Sequence, residues 1–146
     1  MSTSPLSLPL TLASIVDRLQ QASDPKRKYE YILWLAKRLP EMPEGDKVAE
    51  NKVPGCASQV YITATLVDSK VEFVGDSDAQ ITKGLVALLI KGLNGLSPQE
   101  IQQVTPDFIK LTGLDVSLTP SRANGFYNIF QLMQKKVVLC QLEASV

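Results

Sequence analysis

The stretch from about Asp78 to Leu93 carries Ile81, Leu85, Val86, Leu88, Leu89 and Ile90 and is apolar on nearly every side. A helix of that kind has no face to give to water, so its neighbours must bury it. No run in the chain approaches the ~20 apolar residues of a membrane span. The stretch is therefore expected to be a core helix around which the remaining elements pack.

The segment before it supplies the first of those elements. Val60, Ile62, Ala64 and Leu66 alternate with Tyr61, Thr63, Thr65 and Val67, and a turn near Asp68-Ser69 leads into Val71 to Val74. Strict alternation followed by a short polar turn predicts an antiparallel hairpin. Helices are expected on either side of it. One runs from about Leu10 to Gln21. A second runs from about Pro25 to Leu39, with Tyr29, Ile32, Leu33 and Ala36 on one stripe and Pro40 ending it. Short helices are expected at 98–104 and 106–112. A last helix starts near Pro120 and aligns Phe126, Ile129, Phe130, Met133 and Val137. Asp24-Pro25, Ser97-Pro98, Thr105-Pro106 and Thr119-Pro120 each pair a capping side chain with a proline that needs no amide partner in the first turn. Ser97 with Glu100, and Ser77 with Gln80, also fit a capping box. The reading is a single α+β domain over 1–146, a small antiparallel sheet packed against helices with room for a third strand. From Glu41 to Gly55 the chain is polar and rich in Pro and Gly, a loop long enough to suggest function.

Composition removes several chemistries. The 15 acidic and 15 basic side chains cancel, so nothing favours nucleic acid. There is no histidine, which excludes the usual Ser-His-Asp and Cys-His arrangements and most zinc sites. The two cysteines, Cys56 and Cys140, form no CxxC and no disulfide framework. The first ten residues include Leu6, Leu8 and Leu10 but no Lys or Arg, so no secretory leader is expected. The expected compartment is the reducing cytoplasm, with Cys56 a free thiol.

Cys56 stands at the end of the long loop, between Gly55 and the small residues Ala57 and Ser58. Gly55 permits a sharp backbone turn and its small neighbours leave room for a reacting group. Two readings fit: an accessible nucleophile, or a small buried apolar side chain.

Asn51 to Tyr61, with Pro54-Gly55-Cys56-Ala57-Ser58 at its centre, resembles the signature around the acceptor cysteine of the SufE family. Gly75 to Leu85 resembles the family's second block and Leu118 to Gly125 its third, in the same order and spacing. Tyr29 to Pro40 also matches, and the resemblance spans about residues 10–138. It implies an IscU-like α+β fold. It implies that Cys56 accepts persulfide sulfur from a PLP-dependent cysteine desulfurase of the SufS type, and passes it to an iron–sulfur assembly scaffold. It implies no bound cofactor or metal on this chain, and a monomer or weak homodimer. Arg122 then has a role beside Cys56 or at the desulfurase interface, against its plainer reading as a surface arginine. Gly55, Ser58, Asp76 and Asp78 become interface candidates, although acidic groups beside Ser77 are equally explained by a helix dipole. Tyr61 is read as packing and Cys140 as incidental.

Three competing readings stand beside this one. A cluster scaffold would need several cysteines and usually a histidine. A thiol-based redox protein would need a resolving cysteine, and Cys140 is a remote candidate. A plain interaction module would leave Cys56 structural.

Overall fold

The computed structural model describes residues 8–22 and 24–144. The expectations about Leu6 and the residues around it lie outside that range. Helices α1 (Leu10–Gln21) and α2 (Pro25–Lys37) lead through a long connection to a hairpin of β1 (Val60–Val67) and β2 (Lys70–Ser77). Helix α3 (Gln80–Leu93) follows, then short helices α4 (Pro98–Gln103), α5 (Phe108–Leu111) and α6 (Leu114–Ser117), and the long α7 (Pro120–Ala144).

The apolar α3 is the centre of the fold, with ten of its fourteen residues buried. It packs against β2 and α7 and against α1 and α2. Gly84 explains how α2 comes so close: a Cβ there would lie 2.3 Å from both the Ile32 carbonyl oxygen and its Cγ2. Any side chain at that position would force the two helices apart. On the far side, Phe126 and Phe130 of α7 meet Phe108 edge-on, with ring centroids 6.4 and 5.2 Å away.

The hairpin closes at Asp68 and Ser69, both at positive φ, with Val67 opposite Lys70. A two-residue turn of this kind matches the right-handed twist of the strands. Val60 and Ile62 are fully buried and Ala64 and Leu66 half-buried, so the alternation faces the core as expected. The room for a third strand shrinks to a single bridge, Lys52 with Tyr61, reinforced by the Val53 amide donating to the Val60 carbonyl. Pro54 and Gly55 turn the chain away before a ladder can extend. The free edge of β2 is covered instead by the segment after α3. The Val71 amide donates to the Leu96 carbonyl, the Gly95 amide to the Val71 carbonyl, and the Phe73 amide to the Asn94 side chain.

Caps at Asp24, Ser97 and Thr119 form as expected, and Ser97 with Glu100 makes the full reciprocal box. Two others do not. Ser77 is still paired with Val60 in the sheet, so α3 starts at Gln80 rather than 78, and the Ser77 hydroxyl accepts from the Ala79 amide. Thr105 donates to the Asp107 carboxylate, and Pro106 opens a turn, so the helix there begins only at Phe108. The connection from 41 to 55 contains two 3-10 turns, Glu44–Asp46 and Ala49–Asn51, and α6 had no signal in the pattern read.

Candidate functional site

Cys56 lies where the long connection meets the first turns of two helices. Gly55 takes φ +77°, a conformation that turns the chain so the cysteine side chain points at α7. The Cys56 thiol donates weakly to the Gly125 carbonyl at 3.8 Å. A Cβ on Gly125 would stand 3.4 Å from Cys56 Sγ, so glycine at this helical position leaves the sulfur its space. A small pocket of about 20 Å³ adjoins the sulfur, lined by Cys56, Ala57 and Ser58, by Thr82 of α3, and by Ser121, Arg122 and Gly125 of α7. Cys56 is half-buried, and that burial pushes its thiol up from the ordinary value.

The loop is held on both sides. From α7, the Asn128 amide donates to the Gly55 carbonyl at 3.2 Å, and Lys136 donates to the Glu50 carbonyl at 3.1 Å and to the Asn51 side chain. From the start of α3, Asp78 and Gln59 bond reciprocally. The Gln59 amide donates to the Asp78 carboxylate at 3.0 Å, and the Asp78 amide donates to the Gln59 carbonyl at 3.2 Å.

Cys56, Ser58 and Arg122 are thus brought to one pocket, and Gly55 and Asp78 support its loop. Ser58 lines the pocket without a side-chain hydrogen bond among the described residues. Its neighbour Gln59 makes the polar contacts to Asp78 instead. Asp76 is not at the pocket. It pairs with Lys47 at 3.1 Å and Lys83 at 3.5 Å, beside a separate hollow of about 130 Å³ that Tyr61 and Asp78 also line. Burial alone would raise the Asp76 carboxyl, but Lys47, the Ser77 amide and Lys83 outweigh it and hold the group below the usual range. Glu44 and Asp76 together push Lys47 up to about 12. Asp76 is therefore an ion-pair clamp between the loop and α3 rather than a charge at the helix end. Cys140 is buried in α7 and donates to the Ala64 carbonyl at 3.0 Å, and both cysteines are free.

Sequence reasoning did not single out Thr82, Ser121, Asn128 or Lys136. Thr82 carried a weak signal, a lone hydroxyl near the start of an apolar helix. Asn128 and Lys136 carried none, because they act on residues more than seventy positions away. Among the described residues no cluster of acidic, Cys or His groups could hold a metal ion, and no helix is long and apolar enough to cross a membrane.

The chain is similar to known proteins over nearly all of its described residues. Residues 13–137 match the profile of the SufE family, an Fe-S metabolism associated domain. An uncharacterized SufE-like protein of Synechocystis sp. is 63% identical over 139 residues, covering 95% of this chain and 87% of that one. SufE-like protein 1, chloroplastic/mitochondrial, of Arabidopsis thaliana is 46% identical over 94% of this chain and 38% of its own length. The cysteine desulfuration protein SufE of Plasmodium vivax is 42% identical over 77% of this chain and 46% of its own. The chain thus spans less than half of the Arabidopsis and Plasmodium relatives. A hypothetical protein from Thermus thermophilus, solved in solution, shares the fold with a TM-score of 0.81 at 23% identity, over 92% of this chain and 98% of that one. The match across nearly all of the described fold, with Cys56 and its pocket inside it, shows that the chain belongs to the SufE family and has its place in iron–sulfur metabolism.

Proposed function

We propose that Cys56 is a sulfur acceptor that takes the outer sulfur of a persulfide on a PLP-dependent cysteine desulfurase of the SufS type and hands it to an iron–sulfur assembly scaffold. The observation that carries this reading is the half-buried Cys56 thiol beside a pocket of about 20 Å³, bordered by Arg122 and the first turns of α3 and α7. The Plasmodium relative, named a cysteine desulfuration protein, supports the class of partner.

The step is thiol exchange at sulfur. Cys56 gives its proton to water or a base and attacks as the thiolate. A bond forms from Cys56 Sγ to the outer sulfur, the donor's S–S bond breaks, and the electron pair leaves on the donor's cysteine sulfur. The outer sulfur keeps its own proton or charge, so no oxidant or reductant is consumed. Burial works against the first of these events, because the covered thiol ionises less readily. Docking of the donor relieves that hindrance by moving the loop and admitting the donor's sulfur. Arg122, next to the pocket, then stabilises the anion on Cys56 or meets a carboxylate of the desulfurase. Alone the protein turns over nothing; it accelerates the desulfurase by clearing its persulfide.

Sulfide release from cysteine by the desulfurase is the direct test, with wild type and Cys56→Ser compared. Stimulation by wild type alone, with one sulfur added to Cys56 by mass spectrometry, is the expected result. Equal stimulation by both proteins would show that binding activates the partner and that Cys56 carries no sulfur. Arg122→Ala is expected to slow transfer while leaving the melting temperature unchanged; unaltered transfer would remove Arg122 from the site.

A further inference from the structure

Far from Cys56, the chain's one tryptophan sits in a ring of positive charge. Trp34 of α2 is 38% exposed and stacks on Tyr31 with ring centroids 6.0 Å apart. The Arg38 guanidinium lies 3.8 Å from the Trp34 ring centroid, the Lys91 ammonium 5.4 Å and the Arg18 guanidinium 5.9 Å. Arg18 is also 4.9 Å from the Tyr31 ring. These cations come from three different helices or their ends, α1, α2 and α3, so local sequence does not explain their convergence. None of the three has a carboxylate within 4.0 Å among the described residues, whereas Lys47 and Lys83 do. In a chain of zero net charge, these three cations and Arg27 outnumber the one carboxylate, Glu30, that lines the adjoining hollow with Arg18, Tyr31 and Trp34, so the patch is net positive.

Beside the ring is an apolar cleft of about 310 Å³ between α2 and α3. Leu35, Leu39, Ala87 and Ile90 line it, and Arg38 and Lys91 border it. An apolar slot bordered by unpaired cations, next to an exposed tryptophan and an arginine, has the anatomy of an energetic centre in a protein interface. Charge selects the occupant. A second copy of this patch would repel it, and a basic or neutral segment would leave the cations unpaired.

We propose that this surface docks an acidic, leucine-bearing peptide segment of a partner protein, with its carboxylates met by Arg18, Arg38 and Lys91 and an apolar side chain seated between α2 and α3. The site stands apart from sulfur acceptance. Lys91 is nine residues from Thr82, so the two places are separated by about 13 Å along α3. One partner could cover both, but neither site needs the other.

Trp34 itself reports the event. The full chain is titrated with a synthetic peptide of alternating glutamate and leucine, following tryptophan emission and, in parallel, heat by calorimetry. The expected result is saturable binding that weakens as salt rises and is about tenfold weaker for the double variant Arg38→Glu/Lys91→Glu. Circular dichroism of that variant is expected to be unchanged, since both side chains are exposed. Absence of saturable binding, or equal binding by the variant, overturns the proposal. So does equal binding of a lysine–leucine peptide, or tighter binding of phosphatidylglycerol vesicles or a single-stranded oligonucleotide. Cys56→Ser is expected to bind the peptide as wild type does, so failure here and failure of sulfur acceptance are read separately.

Discussion

A thiol covered on one side by a helix and on the other by its own loop ionises less readily than one in water, and this sets how the free protein behaves. Burial raises the Cys56 value, so at neutral pH the thiolate is a small minority and grows as pH rises. Labelling of Cys56 by iodoacetamide, resolved from Cys140 by peptide mass spectrometry, is therefore expected to be slower than that of an unstructured cysteine peptide. Its pH midpoint should lie above the ordinary thiol value; a midpoint at or below that value would mean that a nearby positive group outweighs burial. At this scale the sequence was informative in part. Gly55 and the small residues after Cys56 mark the loop end, and the SufE-like blocks single out the cysteine and Arg122. The hold that Asn128 and Lys136 exert on the loop was not legible, because a hydrogen bond across such a separation leaves no periodic or local trace.

The connection from 41 to 55 is the element on which the site depends. It has little regular structure, yet α7 grips its second half at Glu50, Asn51 and Gly55. Asn128→Ala removes one grip at a cost to global stability of about 1 kcal/mol. Hydrogen exchange is expected to quicken at Val53 and Gln59, whose amides donate to the Val60 carbonyl and the Asp78 carboxylate at either end of the loop, while the inner β1 and α3 amides keep their protection. Uniform acceleration instead would show that the loop opens only with the whole domain. The regular elements were the more legible ones: α1 and the hairpin turn fall where their patterns put them, because apolar spacing in the one and alternation with a polar turn in the other agree with the packing. Where they disagree, tertiary pairing decides. Ser77 has the look of a cap, but its backbone is held in the sheet by Val60, and the sheet prevails.

For the whole molecule, the Lys47–Asp76–Lys83 clamp ties the long connection to the hairpin and α3. Asp76 is held below its ordinary value of 3.8, so the folded state binds fewer protons there than the unfolded chain. The stability this supplies is full above 3.8 and is lost as pH falls through the lowered value. Urea denaturation of Asp76→Asn is expected to show lower stability than wild type at neutral pH, with the gap closing in acid. A gap that persists unchanged in acid would place the effect in packing rather than charge. Between about pH 5 and 8 the wild-type curve is expected to be nearly flat, since no histidine is present to titrate. The buried central position of α3 was foreseeable from its apolar faces, but the tight approach of α2 at Gly84 was not, since a glycine in a helix pattern reads as a weakness until its neighbour is known.

The space of about 20 Å³ beside Cys56 has a further consequence, for traffic. Such a volume accommodates roughly one water-sized particle. Anything larger than that fills the pocket only by displacing the loop or the first turns of α3 and α7. On the proposed role, one sulfur atom added to Cys56 would take up that space, leaving none for a second group.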